Sequence, residues 1–447
     1  MDRYIQYMYS YPHKTAYRPL QNVDLRDYSG SLGGKGHSLY LHIPFCESKC
    51  GYCNLFSVTG CNKRQTDSYL DAVLRQIRQY REILPEDCGF GDFTIGGGTP
   101  LLLEEEQLIR VFEAVRGSMP LSEDTKIIIE TAPNQTSQKK ARLLRQLGVT
   151  RVSMGIQSFC DTELVWLKRN HNSSHADTAA GVLTDMGFDC VNFDFIYGLP
   201  GQTEETLLAS LKRAVSFSPD ELFCYPLYIK HGVTLEREHQ DARLKSDHTY
   251  RLYQCGTAFL KENGYKQVSM RRFLKKNTEA LQAEFSECGF TGALSLGCGG
   301  RSYLGRLHTC TPYQTTRQAA FGELENYQKT ADFLSAAHGI LLSDAELKRR
   351  YVIKHLLILP GISKQAYRTA FASEVTEDFP VITTWIGQGW LKENTEFIGL
   401  TEEGLGLSDF IGPQLISEDI RRKMLEWESV HGQKNNSLQG KLEKLQL

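Results

Sequence analysis

Between residues 38 and about 228 the chain switches repeatedly between two hydrophobic periods. Short runs rich in β-branched and aromatic residues (HSLYLHIPF, DFTIGGG, TKIIIETAP, RVSMGIQ, CVNFDFIYG and ELFCYPLY) predict six strands. Between them apolar residues recur at three- and four-residue spacing. This predicts helices over 67–84 and 104–119, and in SQKKARLLRQLG, HADTAAGVLTDMG and TEETLLASLKRAVSF. Ser, Thr or Asp stands near several of the helix starts, where a side-chain oxygen can cap the first N–H groups. Strands alternating with helices make a parallel α/β sheet, and six βα units predict a partial (βα)6 barrel rather than a closed eightfold one. Ligands of such sheets gather at the C-terminal strand ends. GGGTP, ETAPN, GIQSF and YGLPGQT each follow a predicted strand directly.

Past residue 246 the alternation stops. A helix over 247–263 leads into KQVSMRRFLKK (266–276) and then SLGCGGRSYLG (295–305). Residues 343–430 read as a small separate domain: helix, Pro-Gly turn, helix, then GWLKENTEFIGLTEEGLGL, which has the pattern of a winged-helix wing. The expected organisation is an N-terminal strap (1–37), a core barrel (38–246), an extension that completes the site (247–342), a winged-helix-like domain (343–430) and a polar tail (431–447).

The composition narrows the class. With 447 residues and 41% hydrophobic content the chain can build two or three packed domains. A net charge of -2 gives no global basic field, so no nucleic-acid partner is expected. There is no run of 18 apolar residues, so no membrane span is expected, and the first twenty residues lack the basic-then-apolar order of a signal peptide. Twelve cysteines would suit a secreted disulfide framework. Most of them, such as Cys190, Cys224 and Cys255, fall inside apolar strands or helices, as buried thiols of a cytoplasmic protein do.

One cysteine group is tightly clustered. Cys46, Cys50 and Cys53 form C-x3-C-x2-C in the loop after the first strand. Thiolates on one loop can reach three corners of a [4Fe-4S] cube, and three ligands leave one iron open. S-adenosylmethionine (SAM) can chelate such an iron through its amino and carboxylate groups. Electron transfer from the cluster then breaks a carbon–sulfur bond and yields a 5′-deoxyadenosyl radical. The competing reading is a zinc knuckle with Cys61 as fourth ligand.

Polar residues at successive strand ends suit a SAM site. Gly96-Gly97-Gly98-Thr99-Pro100 closes the second strand, and its backbone amides could approach a ligand's amino-acid end. Glu130 follows the third strand, Gln157 ends the fourth, and Arg169, placed on the next helix, can grip a carboxylate. Asp194 interrupts the apolar run NFDFIYG and needs a partner there. Taken singly, each of these residues suits a cap or surface role as well.

With these residues in place, the sequence resembles oxygen-independent coproporphyrinogen III oxidase and its relatives, within the radical SAM superfamily. The matching stretches are YLHIPFCESKCGYC, GGGTP, ETAP, RVSMGIQSF, FDFIYGLPGQT and SLGCGGRSYLG, within roughly 38–430. The resemblance implies two SAM molecules near one cluster. Tyr40, Gly97 and Glu130 match positions that hold the first. Tyr52, Gly98, Thr99, Gln157, Arg169 and Asp194 match positions that hold the second, and Tyr228 stands at a further second-molecule position where the family enzyme has a small residue. Tyr40 and His42, in the family's Y-x-H-x-P-F-C string, are the candidate catalytic residues; His42 reads equally as a core histidine that fixes the cluster loop. A low-potential donor such as flavodoxin or ferredoxin is implied as partner, in the cytoplasm.

The chain departs from the family in three places. The decarboxylase has a cysteine two residues after its last cluster cysteine, where this chain has Leu55. The haem chaperone's His-Asn…Tyr-Trp string is missing from RLHTCTPYQ (306–314), and the usual small-residue–His pair is Arg301-Ser302. Three functions follow: hydrogen abstraction from a tetrapyrrole propionate leading to oxidative decarboxylation, two-SAM methyl or methylene transfer, or non-catalytic haem carriage. Arg271, Arg272, Lys275, Lys276, Arg301 and Arg306 read either as contacts for substrate carboxylates or as a solvated basic edge. Cys288, Cys298 and Cys310 read either as radical-quenching groups or as buried thiols.

Overall fold

The computed structural model describes residues 2–229, 232–238, 246–276, 291–314 and 316–431. Cys288 and the polar tail past 431 lie outside the described residues. Six strands follow the predicted order: β1 (Lys35–Ile43), β2 (Gly89–Gly97), β3 (Leu121–Thr131), β4 (Arg151–Gln157), β5 (Cys190–Tyr197) and β6 (Glu221–Pro226). Neighbours pair in parallel from β1 through β6. The crossovers carry helices α1 (Lys63–Ile83), α2 (Glu105–Ser118), α3 (Gln138–Gln146), α4 (Asp161–Trp166), α5 (Ser173–Asp185) and α6 (Glu204–Ser216). α1 starts four residues before its predicted position, because Asn62 and Gln65 form a capping box that fixes its first turn. α5 and α6 begin in the same way, at Asn172 and Thr203.

The parallel sheet extends beyond the six predicted strands. A strand from the region where the alternation appeared to stop, Ala293–Leu296, pairs in parallel with β1 and sets Leu294 beside Leu39. Antiparallel strands Arg301–Leu304, Leu307–Cys310 and His338–Leu341 continue that edge and end on Arg18–Pro19. On the other edge β6 is followed by Arg272–Lys275 and Tyr265–Gln267, both antiparallel. The result is a mixed α/β fold whose 13-stranded sheet has a parallel core and two unjoined ends.

Two large apolar cores result. The first lies between the parallel sheet and its helices, around Leu39, Phe93, Ile129, Met154 and Phe193. The second belongs to the C-terminal helices and a three-stranded sheet, around Tyr351, Tyr367, Trp385 and Ile411. There the expected hairpin forms from Leu391–Glu393 and Phe397–Leu400, and Thr401 caps the helix Glu402–Gly406. Met8, Tyr11 and Tyr17 from the N-terminal strap are buried in this second core. No described helix is long and apolar enough to cross a membrane.

Candidate functional site

The cysteine loop leaves β1 and is tied down along its length. Gly51 N–H donates to Leu167 O at 2.9 Å, and Leu235 N–H donates to Gly51 O at 2.9 Å. A side chain at position 51 would sit 2.8 Å from Leu235 Cγ, so the close approach requires glycine. Lys14 Nζ, from the strap, donates to Asn54 O at 3.0 Å. His42 Nε2 reaches Phe56 O at 2.8 Å, and Tyr40 OH lies 3.2 Å from His42 Nδ1. A carbonyl only accepts, so Nε2 carries the proton and Nδ1 accepts from Tyr40. Burial lowers the His42 pKa to about 4, which keeps the ring neutral. His42 thus ties β1 to the loop that follows the cysteines.

Burial pushes the Cys46 thiol up to about 12 and also raises Cys53, with the neighbouring cysteines adding to both shifts. Thiolates at these positions therefore need compensating positive charge. Arg169 Nη1 donates to Cys50 Sγ at 3.1 Å, and Thr99 Oγ1 stands 3.9 Å from Cys46 Sγ. Among the described residues no three His, Cys, Asp or Glu side chains converge on a single-ion position.

The glycine turn works differently from the expectation. Gly97 N–H donates to Glu130 Oε2 at 3.0 Å, Gly98 N–H to Ile43 O at 2.7 Å, and Thr99 N–H to Phe45 O at 2.8 Å. These amides are committed inside the protein and do not await a ligand. The glycines are required for space instead. A Cβ on Gly98 would lie 2.5 Å from Phe45 O and 2.9 Å from Cys46 Sγ, and one on Gly97 would lie 2.7 Å from His42 Cε1. Gly97 also has φ of 116°, in the left-handed half of the map.

The other strand-end residues converge on the same side. Gln157 closes β4 with φ of 73°, a conformation uncommon for a residue with a side chain. Arg169 lies in the turn after α4, not on a helix, and its Nη2 donates to Gly155 O at 2.6 Å. Asp194 finds the partners its apolar run demanded: Asn192 Nδ2 at 2.8 Å and Ser153 Oγ at 3.5 Å. Burial nevertheless raises its pKa to about 7; the Asn192 hydrogen bond opposes the rise and Glu130's charge adds to it. Burial raises Glu130 as well. Tyr52 packs with Trp166 on Leu167, Ile196 and Leu227. Tyr228 OH donates to Asp409 Oδ2 at 2.5 Å, an acceptor from the C-terminal helix Ser408–Gln414.

One cavity of about 1380 Å³ is lined by all three cysteines and by Tyr40, His42, Tyr52, Gly97, Gly98, Thr99, Glu130, Gln157, Arg169, Asp194 and Tyr228. Residues of every strand from β1 to β6 face it, so the sheet curves around it. Its volume exceeds the roughly 300–1,000 Å³ of a single-ligand pocket. Sequence reasoning missed Tyr7, Tyr9, Lys14 and Tyr313, which also line it. For Tyr7, Tyr9 and Lys14 the only local signal was the aromatic-rich start of the chain, and Tyr313 had none.

The basic stretch does not form one cluster. Arg271 is buried against Asp409, Arg272 is buried against Glu221, and Arg306 pairs with Asp344. Lys275 Nζ donates to Ser218 Oγ at 2.6 Å. Arg271, Arg272 and Arg301 face the cavity, and Leu55 faces it while 46% exposed. Cys310 lines the cavity, whereas Cys298 is buried.

Comparison with known proteins matches residues 40–214 to the radical SAM superfamily. The chain is 28% identical over 388 residues to oxygen-independent coproporphyrinogen III oxidase of Salmonella typhimurium, covering 82% of each chain. It is 27% identical over 377 residues to heme chaperone HemW of Escherichia coli, covering 82% of this chain and 94% of HemW. Its fold matches coproporphyrinogen III oxidase (HemN) from Escherichia coli with a TM-score of 0.77 at 23% identity, over 91% of this chain and 97% of that one. This chain belongs to the radical SAM superfamily, among the HemN and HemW relatives.

Membership in the radical SAM family implies a [4Fe-4S] cluster and SAM, and the residues present fit both. Three thiols on one pinned loop face a cavity, and a buried guanidinium and a hydroxyl are directed at two of the sulfurs. Arg169 and Asn192 line the same cavity, and their Nε and Oδ1 atoms are buried without a hydrogen-bond partner among the described residues.

Proposed function

We propose that this chain is a radical SAM enzyme acting on a tetrapyrrole-type substrate, in the manner of oxygen-independent coproporphyrinogen III oxidase. The observation that carries the reading is the cavity of about 1380 Å³ in which the three cysteines meet every strand-end candidate. Cys46, Cys50 and Cys53 would hold the [4Fe-4S] cluster, which together with SAM supplies a 5′-deoxyadenosyl radical that takes hydrogen from the substrate. Tyr40, Gly97 and Glu130 are assigned to a first SAM. Tyr52, Gly98, Thr99, Gln157, Arg169 and Asp194 are assigned to a second, with Tyr228 at its border.

The chain's own residues have distinct tasks. Arg169 offers a buried cation to a carboxylate while it holds Cys50. Asp194 and Glu130 place acidic groups where ribose hydroxyls or an ammonium would lie. His42 stays neutral and keeps the loop in register, and Tyr40 orients it. In this reading the curved sheet is a partial (βα)6 barrel (38–246), completed by 247–342 and covered by the strap (1–37) and the winged-helix-like unit (343–430). A low-potential donor such as flavodoxin or ferredoxin supplies the electron. The described cysteines are all free, which suits the reducing cytoplasm.

A second reading, methyl or methylene transfer by two SAM molecules, is favoured by Leu55. The position after the cluster cysteines bears an exposed apolar side chain that faces the cavity, where the decarboxylase has a thiol. The test is anaerobic incubation of the reconstituted protein with SAM, dithionite and coproporphyrinogen III, reading 5′-deoxyadenosine and product mass together. Loss of carbon dioxide establishes the decarboxylase. A mass gain in methylene units, on this substrate or on haem, establishes the transferase. Haem binding with no nucleoside formed leaves the carrier, and Cys46→Ala must abolish nucleoside in either enzymatic case.

A further inference from the structure

The N-terminal strap is sorted by side. Met8 and Tyr11 enter the C-terminal core, while Tyr7 and Tyr9 line the cavity. The strap is therefore anchored on one face and presents phenol rings on the other. The Tyr7 ring lies 5.6 Å from Tyr9 and 6.1 Å from Tyr225. Two cations that also line the cavity stand against these rings. Arg301 Cζ is 4.7 Å from the Tyr9 ring centre, and Lys14 Nζ is 3.6 Å from that of Tyr313. Arg301 also donates to Ser10 Oγ of the strap.

We infer that this face (Tyr7, Tyr9 and Lys14 of the N-terminal segment with Arg301 and Tyr313) is the subsite for a tetrapyrrole ring bearing carboxylates at its edge. Aromatic faces stack on such a ring, and Lys14 and Arg301 meet its carboxylates. The same charges sort the two ligands of the cavity. SAM carries a sulfonium and a net positive charge, so it is disfavoured beside Lys14 and Arg301 and favoured beside Asp194 and Glu130. The anionic substrate prefers the strap end. This assignment rests on the tetrapyrrole reading above and adds which residues recognise the ring.

The experiment uses full-length, cluster-reconstituted protein under anaerobic conditions. Binding of coproporphyrin III, and of its tetramethyl ester, is measured by fluorescence titration for wild type, Arg301→Met, Lys14→Met and Tyr9→Leu. Nucleoside formation from SAM without substrate is measured alongside. Arg301→Met and Lys14→Met are expected to weaken coproporphyrin III binding about tenfold or more, the loss of a charge-assisted contact. Arg301→Met should leave ester binding and uncoupled SAM cleavage near wild type. Tyr9→Leu should weaken both porphyrins alike. Lys14 also holds the cluster loop, so if Lys14→Met loses iron, Arg301→Met decides. Wild-type binding that Arg301→Met leaves unchanged overturns the subsite and spares the tetrapyrrole reading. Wild type that binds neither coproporphyrin III nor haemin overturns that reading and the subsite with it.

Discussion

Asp194 illustrates what burial does to a single group. In an unfolded chain its carboxyl ionises near the ordinary aspartate value of 3.8, and burial in the folded protein raises this to about 7. Between those values the folded state holds more protons than the unfolded one, so stability falls as pH rises through that window. The penalty is absent below about pH 4 and complete above about pH 7, where it reaches at most about 4 kcal/mol. Asp194→Asn removes it. Without SAM, the variant's melting temperature should gain on wild type between pH 4.5 and pH 8; an equal difference at both pH values would refute the assignment. Gly98 makes the steric counterpart. Gly98→Ala pushes a methyl group into Phe45 O and Cys46 Sγ, and the expected outcome is a folded protein that loses most of its iron on reconstitution. Both residues were visible in the sequence as anomalies, a carboxylate in an apolar run and a third consecutive glycine. What they touch was not: the Gly98 amide bonds to Ile43 rather than to a ligand.

At the scale of elements, the helix Ser408–Gln414 is tied to two cavity-lining residues through one carboxylate. Asp409 takes up Arg271 and Tyr228 together, deep in the protein. Breaking this pair from one side leaves a buried charge uncompensated, so Asp409→Ala should cost about 3–5 kcal/mol in denaturant unfolding. Arg271→Met combined with Asp409→Leu should recover most of that loss, because apolar replacement removes both charges at once. The βα elements were legible because each repeats a local rule: period two or 3.6, and a cap at its start. The capping box that starts α1 at Lys63 lies outside the apolar pattern, which is why the predicted start fell late. Ala293–Leu296 offers only four residues, too few for periodicity to assign it a neighbour. Its place beside β1 is set by pairing across more than 250 positions.

On the scale of the whole molecule, a cluster held by Cys46, Cys50 and Cys53 would link its loading to folding. The three thiols are held in the loop that Lys14, His42 and Arg169 pin from the strap, β1 and the turn after α4. A group that binds this folded arrangement and not the unfolded chain stabilises it. Stripping iron from wild type should lower its melting temperature, and the same treatment of Cys46→Ala should change little.

The sequence by itself determined the parallel α/β core, the order of its strands, the cluster motif and the strand-end residues. These are encoded by short-range patterns that need no partner from elsewhere in the chain. Tertiary structure decided the rest: an N-terminal segment whose Tyr7, Tyr9 and Lys14 line the cavity, a basic stretch split among Asp409, Glu221 and Asp344, and a seventh parallel strand. Each of those depends on a contact between distant segments. The choice is made by which apolar face must be buried and which buried charge must be met, and neither is written at the position where the residue stands.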